Sequence, residues 1–206
     1  MASDAIMTAG YALVFLVILH HPLRQKLHLM LFSCAFAAIY NVAYRTAVWY
    51  IPLDGIALFV RLLAPLEAVW NVIEVRKDCR FGFAGLCAAL SLGIYNPNVL
   101  AWGYLPIRNL STLSVAGVCL MVSLGNHFEP FTKNRLLSVH IELQTAWMIL
   151  HALTSASYHF LTTAQRWDTA RWFYVAGSVV IFGLYHHFFF KSPVGQVAGQ
   201  VGRLTL

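Results

Sequence analysis

Apolar stretches joined by short polar segments run along almost the whole chain. Seven of them have about the length that a helix needs to cross a hydrocarbon layer of about 30 Å. The predicted helices are Ile6–Leu19, Leu29–Tyr50, Gly55–Val75, Phe81–Tyr104, Leu110–Leu124, Leu136–Phe160 and Ala170–Phe190. The first and fifth are short, so we expect them to extend towards Ala2 and Ile107. The pattern predicts an all-α, polytopic membrane protein with a seven-helix bundle.

The segments between these helices are too short to form a domain outside the membrane. We therefore expect residues 1–190 to form a single transmembrane domain and residues 191–206 to form a C-terminal tail. The composition agrees, because 59% of the residues are hydrophobic and only 11% are charged, whereas soluble proteins average about 25% charged residues.

Basic residues in the short loops predict the orientation of the helices. They follow the first, third, fifth and seventh helices as Arg24, Lys26, Arg76, Lys77, Arg80, Lys133, Arg135, Lys191 and Arg203. This places the N-terminus outside and the C-terminus in the cytoplasm. The net charge of +6 then matches the anionic lipids of the inner leaflet. The lipid bilayer is the expected partner, and no basic run interleaved with aromatics indicates nucleic-acid binding.

A sparse internal repeat suggests that the bundle has a three-plus-one-plus-three arrangement, with the fourth helix as the linker. An acidic residue is followed by a phenylalanine and a lysine at the same two offsets in each half. The two sets are Asp54, Phe59, Lys77 and Asp168, Phe173, Lys191.

Polar side chains inside the predicted helices cost on the order of 2 to 4 kcal/mol each if they face lipid. We therefore expect those of the second, third and sixth helices to turn inward around one polar cavity. Aromatic walls with a few polar groups are typical of a pocket for a lipophilic ligand. The predicted ligand-binding residues are Asn41, Tyr44, Arg45, Trp70, Gln144, Trp147, His151, Ser155 and Tyr158.

Glu67 is the predicted catalytic acid, because its position places it near the middle of the bilayer. Desolvation would keep its carboxyl protonated and able to give a proton to a ligand. Asn71, one turn further on, would orient it, and Glu142 beside the histidine-rich cytoplasmic rim is a third candidate catalytic residue. The alternative is a structural role for Glu67, as an ion-pair partner of Arg45 or Arg61.

Histidine and cysteine spacing does not indicate a metal site. The nine histidines and four cysteines form no CxxC, HExxH or HxxxH pattern, and these are the spacings that structural and catalytic metal sites commonly use. We expect buried, inert thiols, no metal and no cofactor.

The chain resembles fungal membrane-bound meroterpenoid cyclases in size, helix number, orientation and loop pattern. The resemblance includes "GYALVFLVILHH" in the first helix and "VWYIP" at the end of the second. It implies a cyclase or isomerase-type lyase or transferase. The N-x-x-W-E motif of those enzymes is absent from the second helix, which reads "FAAIYNVAY", and the seventh helix, "SVVIFGLYHH", has no acid. No catalytic residue can therefore be carried over by position.

Three functions stay open at this point. The first is an intramembrane enzyme that acts on an isoprenoid or lipid-like substrate by acid catalysis in an aromatic-lined cavity. The second is a small-molecule transporter, because orientation and repeat resemble those of SWEET-type sugar transporters, although their proline-glutamine motif is absent. The third is an accessory subunit that binds partner membrane subunits.

Overall fold

The computed structural model describes residues 2–43, 50–73, 104–128, 134–160 and 164–190. Every regular element in these ranges is a helix. The α-helices are α1 (Ala2–Leu19), α2 (His28–Ala43), α3 (Tyr50–Ile73), α4 (Tyr104–Phe128), α5 (Arg135–Phe160) and α6 (Ala164–Tyr185). A 3₁₀ turn, Pro22–Lys26, joins α1 to α2, and α6 continues as one π-helical turn, His186–Phe190.

The all-α prediction is confirmed, but a count of seven helices is not supported. The described residues form six α-helices, and the predicted fourth span, Phe81–Tyr104, lies almost wholly outside them. Lys77 and Lys191, on which the internal repeat depends, also lie outside, as does the predicted tail of residues 191–206. The expected extension of the first helix to Ala2 is confirmed.

Within the described ranges, three helical segments are long and apolar enough to cross a membrane. They are Ala2–Leu19, Arg135–Thr154 and Asp168–Phe190, while the apolar stretches His28–Val42 and Thr112–Phe128 are shorter. The distribution of side chains also suits a lipid environment, because large apolar residues such as Ile39, Met121 and Phe173 are more than 60% exposed. Polar residues such as His140 and Gln144 are buried instead. This arrangement avoids polar groups facing hydrocarbon.

The helices pack as a ring of neighbours. In this ring α1 contacts α2 and α6, α3 contacts α2, α4 and α5, and α5 contacts α4 and α6. Buried hydroxyls tie adjacent helices together: Ser33 Oγ donates to the Val60 carbonyl at 2.8 Å, and Thr145 Oγ1 donates to the Cys119 carbonyl at 3.1 Å. Small residues let other pairs approach closely, as at membrane helix interfaces generally.

At Gly10 the backbone of α1 lies close against α6. A Cβ atom at this position would be 2.1 Å from Cδ2 of Phe182. Phe182 is only 2% exposed, and its ring packs edge-on against Tyr11 and Trp147 with centroid distances of 5.2 and 5.4 Å. The ring therefore has little room to move aside, and this contact fixes the spacing between the two helices.

We expect Gly10→Ala to destabilise the protein by about 1–3 kcal/mol, because overpacking forces side chains and backbone to shift. The measurement is the thermal unfolding midpoint of the purified protein in detergent. Gly183→Ala in α6 is the matched control, since a Cβ there meets nothing within 4 Å. Equal midpoints for the two variants would show that the α1–α6 contact is looser than described.

Candidate functional site

A cavity lies at the centre of the ring, where α1, α2, α3, α5 and α6 meet, and its volume is about 40 Å³. A cavity needs about 10–15 Å³ to hold one water molecule, so this one holds a few waters or one small chemical group. Half of the lining residues are methionine, alanine, cysteine or serine. The larger polar and aromatic lining residues are Tyr11, Arg61, Gln144, Trp147, His151 and Tyr174.

The structure brings together part of the predicted ligand-binding set. Gln144, Trp147 and His151 line the cavity, and the helices predicted to surround it, here α2, α3 and α5, all contribute to the wall. Asn41 is half-buried and Trp70 is buried, but neither is among the lining residues. Tyr44 and Arg45 lie outside the described residues, as do the side chains of Ser155 and Tyr158.

The sequence predicts a cavity with a polar surface, and this prediction is wrong, because the surface of the cavity is mainly carbon. The reason is that several polar groups of the wall bond to one another. Trp147 Nε1 donates to the Tyr174 hydroxyl at 3.3 Å, and the His151 ring lies 5.5 Å from the Tyr174 ring. Tyr11 stacks on Trp147 at a centroid distance of 5.5 Å. Aromatic faces therefore form much of the wall.

Arg61 brings a positive charge into this aromatic surrounding. Its guanidinium carbon lies over the ring of Tyr40, 5.9 Å from the centroid, which is within cation–π range. Pro65, one turn further along α3, cannot donate the helical hydrogen bond to the carbonyl of Arg61. The Pro65 carbonyl in turn accepts a weak bond from the thiol of Cys119 at 3.9 Å. The helix α3 thus lacks one backbone hydrogen bond at the level of the cavity.

A buried polar chain runs from the cavity towards the end of α6. Gln144 Nε2 donates to the Tyr185 hydroxyl at 2.8 Å, and that hydroxyl lies 2.9 Å from His140 Nδ1. All three residues are at most 2% exposed. His140 Nε2 has no hydrogen-bond partner among the described residues, and Phe189 of the π-helical turn packs beside its ring. The polar face predicted for α5 therefore points inward.

Glu67 is a residue of α3, and its side chain lies at the N-terminus of α2. It is not among the lining residues of the cavity. Its Oε1 accepts the backbone N–H of Leu29 and its Oε2 accepts that of Met30, both at 2.9 Å. The first N–H groups of a helix have no partner within the helix, and the helix dipole favours a negative group at this end. Glu67 thus serves as the capping group for a helix that begins almost 40 residues earlier in the chain.

The same face of α3 binds the turn before α2. Asn71 Nδ2 donates to the Lys26 carbonyl at 2.6 Å, and His28 Nδ1 lies 3.2 Å from Glu67 Oε1. Glu67 and Asn71 are four residues apart, so they lie on one side of α3, as predicted. Together they hold the end of the 3₁₀ turn and the start of α2 against α3.

These contacts correct the predicted position of Glu67. It lies level with the first turn of α2 and does not face the cavity, so the partner that it satisfies is backbone rather than a ligand. Asn71 contacts a backbone carbonyl instead of orienting a catalytic acid. Glu142 is exposed on α5, and the structure does not bring it together with Glu67 and Asn71. A catalytic role for these three residues stays an untested prediction.

The predicted ligand-binding set lacks Arg61 and Tyr174, which line the cavity, and the sequence interpretation also missed Tyr11 and Tyr185. Tyr11 is the one tyrosine of α1, and Tyr185 is the last residue of α6. The hydrophobic pattern alone gives neither of these two tyrosines a special meaning. Tyr11 is 5% exposed and Tyr185 is fully buried. The available signal was that a tyrosine hydroxyl inside a membrane helix needs a polar partner.

Within the described ranges, no three His, Cys, Asp or Glu side chains cluster closely enough to hold a metal ion. Cys34 and Cys119 are buried and free, and Cys79 and Cys87 lie outside those ranges.

No family model, curated protein or solved structure matches the chain. The comparisons thus give no family evidence for a terpene cyclase, a lipid-binding protein or a transporter.

We expect Glu67→Gln to lower the free energy of unfolding by about 1–2 kcal/mol, the typical cost of losing a helix cap. The amide keeps one oxygen acceptor but places an N–H₂ group against the second backbone N–H. Glu142→Gln is the control, because Glu142 is exposed. If Glu67→Gln instead unfolds at the wild-type temperature, the carboxylate is not needed as a cap and the catalytic interpretation gains weight.

His21 caps the 3₁₀ turn in its neutral form. Its Nδ1 accepts the backbone N–H of Leu23 at 3.1 Å, and its ring packs edge-on against Phe189 at 5.2 Å. Burial lowers the pKa of His21 below its ordinary value. In the unfolded chain His21 takes up a proton at a higher pH than in the folded protein, so acid favours unfolding below the ordinary histidine pKa of about 6.5.

We expect this contribution to stability to be present above about pH 6.5 and to be lost progressively as the pH falls below that value. The measurement is the unfolding midpoint as a function of pH, compared with His21→Asn. Asparagine keeps an acceptor for the Leu23 N–H and does not titrate. The two proteins differ only at residue 21, so a difference between the curves reports His21. Parallel curves would contradict the prediction.

Proposed function

We propose that this chain is a multi-pass membrane protein, with its N-terminus outside and its C-terminus in the cytoplasm, that binds a lipophilic ligand at the central cavity. The ligand is an isoprenoid or lipid-like molecule whose oxygen-bearing end enters the cavity. A volume of about 40 Å³ accommodates that end alone, so the hydrocarbon tail would leave between helices towards the lipid. We also propose that the bundle contains seven helices, as the sequence predicts.

The observation that carries the proposal is the placement of Arg61. Of the described residues that line the cavity, Arg61 alone carries a permanent charge, and the rest of the surface is mainly carbon. Ligand sites typically combine an apolar wall with a few placed polar groups that fix orientation. A guanidinium in that setting forms strong hydrogen bonds to a ligand oxygen, because charge-assisted bonds gain strength where water is scarce.

Acid catalysis on such a ligand is the reaction that we propose with it, by an enzyme of the cyclase or isomerase type. The proton donor would come from the lining residues, and Tyr11, His151 and Tyr174 have side chains that can transfer a proton. Arg61 would orient the ligand oxygen towards this donor through a charge-assisted hydrogen bond. This version of the chemistry does not use Glu67, since both of its carboxylate oxygens already accept backbone N–H groups.

The small cavity also favours a second candidate, an accessory subunit of a larger membrane complex. Such a subunit needs packing surfaces and no ligand site. The exposed apolar side chains of α4, which include Met121 and Phe128, would then contact another membrane subunit instead of lipid.

We expect Arg61→Met to reduce retention of a lipophilic ligand by about tenfold or more, as the loss of a hydrogen bond to a charged group implies. Native mass spectrometry of protein released from gentle detergent measures the bound molecule, and extraction identifies it. Arg171→Met is the matched control, because Arg171 pairs with Asp4 and does not line the cavity. Wild-type protein that retains a partner subunit but no lipophilic ligand would support the accessory-subunit candidate instead.

A further inference from the structure

The side-chain amide of Gln144 is fixed in one orientation by its neighbours. Its Nε2 lies 2.8 Å from the Tyr185 hydroxyl and 3.2 Å from the sulfur of Met30. A thioether sulfur can only accept a hydrogen bond, so the atom that faces it must be the NH₂ group. Its two hydrogens are then directed at Tyr185 and Met30. The carbonyl oxygen Oε1 is the polar atom of Gln144 that remains to face the cavity.

Tyr185 and His140 reinforce this orientation. Because the Tyr185 oxygen accepts from Gln144, its own proton is available for His140 Nδ1 at 2.9 Å. The proton of the imidazole then resides on Nε2. Turning the Gln144 amide over would place its oxygen against the Met30 sulfur and would leave a buried pair of acceptors in contact. The cost of that contact, in a region at most 2% exposed, holds Oε1 towards the cavity.

Arg61 is the charged residue of the cavity wall, and a guanidinium can only donate hydrogen bonds. The Tyr174 hydroxyl already accepts from Trp147 Nε1 at 3.3 Å and interacts with the side chain of Tyr11. A ligand group that bonds to both Arg61 and Gln144 must therefore accept from the first and donate to the second. A hydroxyl does both, whereas an ether or a carboxylate only accepts and a hydrocarbon does neither.

We propose that the ligand is a lipophilic alcohol and that Gln144 selects it through its carbonyl oxygen, with Tyr185 and His140 as positioning residues. This inference rests on the proposed function. It predicts that a carboxylate binds less well than an alcohol of the same chain length despite the attraction of Arg61, because the carboxylate oxygens would repel Gln144 Oε1.

The test measures binding of three probes to the full chain in lipid nanodiscs. The probes are dodecanol, its methyl ether and dodecanoate, and the readout is the rise of the unfolding midpoint with ligand concentration. We expect the wild type to prefer the alcohol to the ether by about tenfold, as one hydrogen bond implies. Gln144→Met, which keeps the length of the side chain and removes the acceptor, should bring that ratio close to one.

Tyr185→Phe tests the positioning role. It removes the hydroxyl that holds the Gln144 amide, so the alcohol-to-ether ratio should fall while the ether still binds. Trp172→Phe, also in α6, is the control, because Trp172 is exposed and does not line the cavity, and its ratio should equal that of the wild type. If Tyr185→Phe does not fold, the ratio measured for Gln144→Met still decides the question.

The outcomes separate the inference from the proposed function. Binding of alcohol and ether with equal affinity by the wild type overturns the selection by Gln144 but leaves a lipophilic ligand site. Tighter binding of dodecanoate than of dodecanol also overturns the selection by Gln144 and leaves a lipophilic ligand site. In that case Arg61 is the dominant partner of the ligand. Failure of all three probes to bind overturns the proposed function together with the inference.

Discussion

The contact between the Glu67 carboxylate and the first turn of α2 is the interaction on which the arrangement of the first three helices depends. Backbone N–H groups at the start of a helix have no partner within the helix, and away from water each unsatisfied group is costly. Glu67 satisfies two of them from α3, and Asn71 binds the preceding turn. Because that turn joins α1 to α2, a single face of α3 fixes the position of both.

The helical class was predictable because a chain this apolar can satisfy its backbone in a membrane only within helices or a closed barrel. Hydropathy also located most helix positions, and the ends moved by several residues because capping groups decide them. Asn134, which caps α5 through the N–H of Leu136 at 3.0 Å, starts that helix close to the predicted position. The role of Glu67 could not be predicted, since its partner lies on another helix and a capping acid looks like a catalytic one in the sequence.

The site was predictable on α5 and poorly predictable elsewhere. On α5 the polar residues recur at helical spacing, so Gln144, Trp147 and His151 were identifiable from their shared face. Tyr11 and Tyr185 lie in apolar helices, and their meaning comes from contacts across helices. Contacts between helices decide which polar groups find a hydrogen-bond partner within the protein. The spacing of residues along one helix does not predict those contacts.

Burial of polar groups inside the helix bundle leaves few of them to face the cavity, and this limits what the cavity can do. Most inward polar atoms here bond to other inward polar atoms, as Trp147 does with Tyr174, so the cavity presents mainly carbon. Arg61 and Gln144 are the lining residues on which the proposed ligand site rests. In that proposal the guanidinium of Arg61 supplies a hydrogen-bond donor and the carbonyl oxygen of Gln144 supplies an acceptor to one small polar group. This pairing of a donor with an acceptor is the reason why we propose recognition of a ligand rather than packing alone.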